Sequence, residues 1–367
     1  MPVSTGTERV IVSSTSRKSA RGWRAIIGVL AGSLLLLTGI PNSARAAETE
    51  WAEIGNGART LSAVYSVTIS GATYDVTRGA DNNVWFRYNG GSWRPLGGDN
   101  ATRTTSPPRI VEFPPGRAMT LVRGLDGEIW YSQVNSGSAN FWAPWTRLPA
   151  GAGAIGSPMV SVLGSGLFIE APNQSRLIST TWLESRGGVL TPSSRGWRVD
   201  NHALLSTDYA DIEGTSQIAV YGTQQYEAVL RSFVVGTDNR VWSVTRTANS
   251  DSSNVTQVDS GAICESGVAA GRLGNQTTVV GPGQQGYAEQ QRVLIACIGA
   301  DGYVWNSTSN DGGVHFGNFS RPAGTPVPST TAPAVNPTGT SWILNAVFNG
   351  LRSAQFPDKS VVGKRIS

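Results

Sequence analysis

An all-β fold assembled from copies of one strand–turn–strand unit is what this sequence predicts, and three observations carry the prediction. The first is a seven-residue phrase, Gly-x-Asp-x-x-(Val/Ile)-Trp, written four times. It stands at 79–85 (Gly-Ala-Asp-Asn-Asn-Val-Trp), 124–130 (Gly-Leu-Asp-Gly-Glu-Ile-Trp), 236–242 (Gly-Thr-Asp-Asn-Arg-Val-Trp) and 299–305 (Gly-Ala-Asp-Gly-Tyr-Val-Trp). Each copy lies between apolar runs, and its central Asp-Asn or Asp-Gly supplies the φ > 0 residues of a two-residue hairpin turn. The second observation is composition: 44 Gly and 19 Pro in 367 residues, many short apolar runs and almost no helical periodicity, as in an all-β chain rich in turns. The third is spacing. Gly79, Gly124, Gly236 and Gly299 stand 45, 112 and 63 residues apart, and the middle interval is two units of 56. Self-similarity at such a period points to a propeller.

The copy missing from the middle interval is read as Ala171-Pro172-Asn173-Gln174-Ser175-Arg176-Leu177, with Asn in place of Asp. A sixth hairpin runs over 342–348, turns at Asn349-Gly350 and returns over 351–356. A second phrase follows the hairpins as the outermost strand of each blade: 92–96, 144–148 and 196–200, each with a Trp, and weaker versions at 254–258 and 316–319. The sixth hairpin has none after it, while a spare copy, Glu50-Trp51-Ala52-Glu53-Ile54, precedes the first. An open ring would leave sheet edges unpaired. The prediction is therefore a six-bladed β-propeller closed by its N-terminal strand, over residues 47–358, with a basic tail at 359–367.

Residues 1–46 read as a secretory signal peptide. Arg17, Lys18, Arg21 and Arg24 precede an apolar stretch over 25–40, and Ala44-Arg45-Ala46 is a small-residue cleavage site. That stretch is shorter than the roughly 20 residues of a membrane span. The expected product is a secreted, extracellular protein with no span in its mature form. The whole chain has 29 basic and 25 acidic residues, but six basic residues and one acidic lie in the leader, which leaves 23 against 24, a balance of −1. Nucleic-acid binding wants a basic face, so it is not expected. Cys264 and Cys297 fall by register on the first and second strands of blade five, and in an exported protein such neighbours are expected to form a disulfide.

The chemistry on offer is narrow. His202 and His315 lie far apart in the repeat, so neither a His-based metal site nor a Ser-His-Asp arrangement is expected. The glycines serve turns rather than a phosphate-cradling loop, and no cofactor is implied. Ser309-Asn310-Asp311-Gly312-Gly313-Val314-His315-Phe316 resembles the Asp-box of sialidase-type propellers, a structural turn in that family. The wider pattern resembles tectonin-type and bacterial fucose-binding lectin propellers, with Gly-x-Asp-Gly-x-(Leu/Ile)-Trp followed by a Gly-Trp outer phrase. The second repeat with 141–151, and the first with 91–98, match it best.

That resemblance implies a lectin-like protein without catalytic activity, with fucose- or galactose-like glycans as partners and an oligomer as one route to avidity. The alternatives from other classes are a glycoside hydrolase or lyase on the same scaffold and a protein-interaction propeller. Trp85, Trp130, Trp242 and Trp305 either stack on sugar C–H groups or fill gaps between blades, the commoner fate of a repeated bulky residue. Aromatics outside the repeat are the better ligand candidates: Tyr88 and Trp93 in blade one, Tyr131 and Trp142 in blade two. Arg87, Arg147 and Glu128 are the candidates for charged hydrogen bonds to hydroxyls.

Overall fold

The computed structural model describes residues 52–53, 60–97, 102–135, 137, 142–175, 177–200, 216–221, 228–236, 238–247, 253–258, 261, 263–265, 267–273, 292–322, 328–329, 331–338, 341–347 and 351–357. All belong to one compact unit, Ala44–Ser367. The leader, Trp51 and the basic tail lie outside the described residues.

The fold is an all-β propeller. Strand β1 is Ala52–Glu53. Sheet one holds β2 (Tyr65–Ile69), β3 (Ala72–Arg78), β4 (Val84–Tyr88) and β5 (Arg94–Pro95). Sheet two holds β6 (Arg109–Glu112), β7 (Arg117–Arg123), β8 (Ile129–Asn135) and β9 (Thr146–Arg147). In sheet three, β10 (Met159–Leu163), β11 (Gly166–Pro172) and β12 (Ile178–Arg186) are followed by β13 (Val189–Pro192) and β14 (Arg198–Asp200), which share the edge of β12. Sheet four is β15 (Ser216–Tyr221), β16 (Ala228–Val235), β17 (Val241–Thr247) and β18 (Asn254–Gln257). Sheet five is β19 (Ala269–Leu273), β20 (Arg292–Ile298) and β21 (Val304–Ser309). The last sheet is β22 (Ala334–Thr338), β23 (Ser341–Val347) and β24 (Leu351–Pro357), and β1 pairs with β24 through Ala52 opposite Ser353 and Glu53 opposite Arg352. Every pairing is antiparallel. The first strands touch in chain order, β2 to β6, β10, β15, β19 and β22, and β22 touches β2.

The core lies between neighbouring sheets, which is why the middle strands are apolar on both faces. Tyr74, Phe86 and Val122 join sheets one and two; Met119, Leu121 and Leu183 join two and three; Met159, Ile178 and Val244 join three and four. Phe233 and Ile295 fill the next gap, and Leu294 and Leu344 the one after. Between the last sheet and the first, Asn336 Oδ1 accepts from Ser66 N at 2.8 Å, while Asn336 Nδ2 and Asn345 Nδ2 donate to Val64 O at 3.0 and 2.8 Å. Outer strands are tied by indole N–H groups. Trp145 Nε1 donates to Gly97 O at 2.6 Å and Trp197 Nε1 to Pro149 O at 2.7 Å, each reaching the sheet before its own.

Two sequence expectations shift. Cys264 and Cys297 form the disulfide, with Cα atoms 5.8 Å apart, but Cys264 precedes β19 and bridges Gly299 instead of lying on the first strand. Its amide is taken by Asn239 O of the sheet before, at 2.7 Å, and this holds it short of the ladder. Residues 316–319 form no strand. The pairing comes one step later, at Ser320 opposite Asn306, because the preceding turn uses up the chain to Phe316.

Candidate carbohydrate-binding surface

The repeated phrase has a defined geometry. The amides of Asn82, Gly127, Asn239 and Gly302 donate to the carbonyls of Gly79, Gly124, Gly236 and Gly299 at 2.8–3.0 Å. Those four donors are also the left-handed residues, at φ 58–77°. A four-residue turn whose last residue is left-handed needs one φ > 0 position, where the expected two-residue hairpin needs more. The third residue is thus free for another task. Asp81, Asp126, Asp238 and Asp301 each accept the amide two residues on at 3.0–3.1 Å. They also accept the indole N–H of Trp85, Trp130, Trp242 and Trp305 at 3.0–3.3 Å. Desolvation would raise the carboxyls of Asp81 and Asp301, but these bonds hold both below their ordinary value. The glycine is required because the indole lies on it. A Cβ on Gly79, Gly236 or Gly299 would stand 2.4–2.8 Å from ring atoms of Trp85, Trp242 or Trp305.

Sheet three shows what replaces the phrase. Asn173 N donates to Leu177 O at 2.9 Å and Asn173 bridges Ala154, the places held by Gly79 in sheet one and Gly299 in sheet five. Asn173 therefore stands for the glycine and Ser179 for the Trp, two residues away from the alignment the sequence suggested. With no indole to clear, a side chain fits there. Asn173 Oδ1 accepts from Ser175 N and Leu177 N, and its Nδ2 donates to Ser179 Oγ at 3.0 Å.

At the phrase end of the sheets, arginines stand across from two of the tryptophans. Arg147 is the cross-strand partner of Trp130 and is exposed. The Asn306–Ser320 bridge puts Arg321 in the same register to Trp305. Its guanidinium lies 5.1 Å from the Trp305 ring centre and 4.7 Å from that of Tyr303, and pairs with the Asp301 carboxylate. Half-buried indole, aromatic neighbour, carboxylate and exposed guanidinium thus form one compact unit. Glu128, in the position of Tyr303, instead accepts from the amides of Gly151 at 3.2 Å and Ala152 at 3.4 Å, which fixes the loop after β9.

Of the other sequence-predicted residues, Tyr131 adjoins Trp130, while Tyr88, Trp93, Arg87 and Trp142 lie farther along their sheets. Tyr88 is the cross-strand partner of Tyr74, with ring centres 5.2 Å apart. Trp142 of sheet two stands edge-on to Tyr74 at 6.4 Å and to Phe86 at 5.5 Å, and its indole N–H is buried without a partner. Trp93 packs against Val64 and Val347. The Arg87 guanidinium lies 4.9 Å from its ring centre and is held by Asp75 at 2.7–2.8 Å, so Arg87 is engaged inside the sheet. Tyr131 packs on the core between sheets two and three, and burial raises its phenol above the ordinary value against the bond to Thr146. Sequence reasoning missed Arg321, because the outer strand of sheet five was placed too early, and it missed Phe168 and Trp182, which stand outside the phrase.

Between sheets three and four, the buried Glu170 carboxylate takes Ser232 Oγ and the Arg246 guanidinium, whose Nη1 donates to Thr180 Oγ1 at 2.8 Å. Burial pulls Arg246 down to about 10. Among the described residues no three His, Cys, Asp or Glu side chains are placed to hold a metal, and no helix is long and apolar enough to cross a membrane.

Neither a protein-family model nor a curated protein matches the sequence. The fold defines a β-propeller of the sort found in lectins and sialidases. Solved structures similar to it include an arginine-to-alanine mutant of AofleA from Arthrobotrys oligospora, with TM-score 0.58 and 9% identity over 86% of this chain and 89% of that one. Another is the fungal lectin from Aleuria aurantia, described as a six-bladed β-propeller with a novel fucose recognition mode, with TM-score 0.52 and 13% identity over 81% and 93%. A Hadza microbial sialidase aligns with TM-score 0.54 and 9% identity over 84% and 69%. At these identities the likeness is one of fold.

Proposed function

We propose that this is a secreted, extracellular, non-catalytic carbohydrate-binding protein, lectin-like, built as a six-bladed β-propeller closed by its N-terminal strand. The unit of Trp305, Tyr303, Arg321 and Asp301 carries the reading. An aromatic face takes the C–H side of a sugar ring, while a guanidinium and a carboxylate beside it offer a donor and an acceptor for hydroxyls. Trp130 with Arg147 is its counterpart in sheet two, where Glu128 holds the position of Tyr303. The structural neighbours support the substrate class, since Aleuria aurantia lectin is described in complex with a fucoside. Fucose- or galactose-like monosaccharides would bind such a site with millimolar affinity, worth about 4 kcal/mol. Avidity then comes from several sites or an oligomer. The turn at 309–316 is read as an Asp-box, with a structural role.

A glycan array probed with the secreted protein tests the reading. Binding of fucosylated or galactosylated glycans, lost in the Arg147→Ala/Arg321→Ala double variant, is the expected result. No glycan bound, together with turnover of a chromogenic glycoside, would transfer the site to a hydrolase.

A further inference from the structure

We propose that Phe168 and Trp182 form a second saccharide platform, for a neutral pyranose, on the face of sheet three opposite Leu183. This rests on the reading of the protein as a glycan binder, and it concerns residues at a distance in register from the arginine units. Phe168 and Trp182 are cross-strand partners, with ring centres 6.4 Å apart and planes 29° from parallel. Along β12 the buried side chains of Ser179, Thr181 and Leu183 alternate with half-buried Thr180, Trp182 and Glu184. Leu183 belongs to the core shared with sheet two, so Trp182 looks the other way.

The position is one the fold normally seals. Counting back five residues from Gly79, Gly124, Gly236 and Gly299 gives Tyr74, Met119, Arg231 and Leu294, which are 0%, 0%, 9% and 0% exposed. The same count from Asn173 gives Phe168, which is half-buried, and neither Phe168 nor Trp182 packs on a core cluster among the described residues. Two large aromatic rings side by side and half in water are less stable than a sealed pair, a difference that a ligand laid on them relieves.

The surroundings specify the occupant. Gly166 shares the face with Phe168, and a Cβ there would stand 3.4 Å from the Phe168 ring, so its absence leaves the flank of the ring open. Opposite Gly166 stands Glu184, whose carboxylate takes Arg186 Nε at 3.1 Å and Nη2 at 2.9 Å, with side chains 40% and 82% exposed. The rim thus offers an acceptor and donors with no net charge. At the inner end Thr180 and Glu170 are engaged with Arg246 and Ser232. An apolar shelf with a neutral polar rim fits a sugar ring lying on its C–H face, its hydroxyls directed to Glu184 and Arg186. A uronate or sialate would add a charge that the paired rim does not call for.

The test is a printed glycan array, followed by calorimetry with the best neutral glycan, on the secreted protein and on Trp182→Ala, Glu184→Gln and Arg147→Ala/Arg321→Ala variants. The expected result is a set of neutral glycans, distinct from the fucosylated and galactosylated ones lost in the arginine variant, that Trp182→Ala binds about tenfold more weakly and that Glu184→Gln weakens several-fold. Wild-type binding left unchanged by both Trp182→Ala and Glu184→Gln overturns the platform and leaves the lectin reading standing. Failure of the wild type to bind any glycan overturns both. Should Trp182→Ala not fold, the exposed Glu184→Gln change decides alone.

Discussion

Sheets one and three place an aromatic pair in the same register and put it to opposite use. In sheet one the pair is Tyr74 and Tyr88, closed over by Trp142 of the next sheet, and Tyr74 is 0% exposed. In sheet three it is Phe168 and Trp182, half-buried and outside every core cluster among the described residues. Sheet three is also where the repeated phrase has dissolved, with Asn173 and Ser179 in place of Gly and Trp. Beside the apolar contacts of Met159, Ile178 and Val244, its attachment to sheet four uses charge where the first junction uses aromatic rings: the Glu170, Ser232 and Arg246 set in place of the tilted and edge-on rings of Tyr74, Tyr88 and Trp142. A propeller needs every junction filled, but the means can vary. Where polar groups hold the inner half, the outer half is released from packing and can face a ligand.

The largest expected effect tests the sealed side. Trp142→Ala or Tyr74→Ala should cost about 3–5 kcal/mol in denaturant unfolding, the range for emptying a buried aromatic. A loss below about 1 kcal/mol for both would mean that the first junction does not depend on its aromatic nest, and the contrast with sheet three would lose its basis.

The next effect comes from a junction sealed by a turn. Gly313, at φ 86°, lies against Arg231 Cδ and Phe233 Cζ, each 3.1 Å from where a Cβ would stand. Gly313→Ala forces a left-handed alanine and crowds a ring, and should cost about 2 kcal/mol. Arg231 can swing aside but Phe233, edge-on to Phe316 at 5.7 Å, has little room. Unfolding midpoints for Gly313→Ala and Gly302→Ala separate the two causes, since both glycines are left-handed but a Cβ on Gly302 would meet nothing within 4 Å.

These contrasts bear on how far the sequence could be read. The phrase announced its hairpins because Gly, Asp and Trp each answer to the others: the indole covers the glycine and bonds the carboxylate. Remove the Trp and the other two constraints lapse together, which is why the third copy was found but misaligned by two residues. The pairing of Ala52 and Glu53 with β24 follows the same logic of an outer strand needed at an open edge. The candidate surface was less legible. Arg147 could be picked out beside a strong copy, whereas Arg321 depended on the length of the turn before it. Nothing in the local sequence of Phe168 or Trp182 tells a platform from a core pair, because exposure there is decided by the neighbouring sheet.

A smaller effect tests that turn through pH. Partial burial raises Asp311, but bonds from Ser309, from the amides of Val314 and His315 and from the His315 ring bring it down to about 2. A carboxyl lowered in the folded state stabilises fully above its unfolded value near 3.8 and loses that contribution as pH falls through about 2. The side chain is 42% exposed, so screening cuts the effect to roughly 1 kcal/mol. Unfolding free energies measured from pH 4 down to 2 should fall less steeply in Asp311→Asn than in wild type. Parallel slopes would show that the carboxylate is not what holds this junction's turn.

The smallest effect on stability is expected at the open pair, and its smallness is the point. Trp182→Ala removes a large ring, yet one already half in water and packed on no core cluster among the described residues, so the cost should stay below about 1 kcal/mol. Most of that cost comes through Phe168, whose lost stacked neighbour falls at the low end of the roughly 0.5–1.5 kcal/mol of an aromatic pair, because both rings are half in water. Phe168→Ala should match it, and the double variant should lose less than the sum of the two, since each ring is the other's main contact. Denaturant unfolding of the three variants against Tyr74→Ala supplies the comparison on one scale. Should Trp182→Ala unfold as readily as Tyr74→Ala, the ring is core, sheet three is sealed like sheet one, and the platform disappears with the contrast. A stable Trp182→Ala protein with Tyr74→Ala crippled would establish that the same register position is structural in one sheet and free for binding in the other.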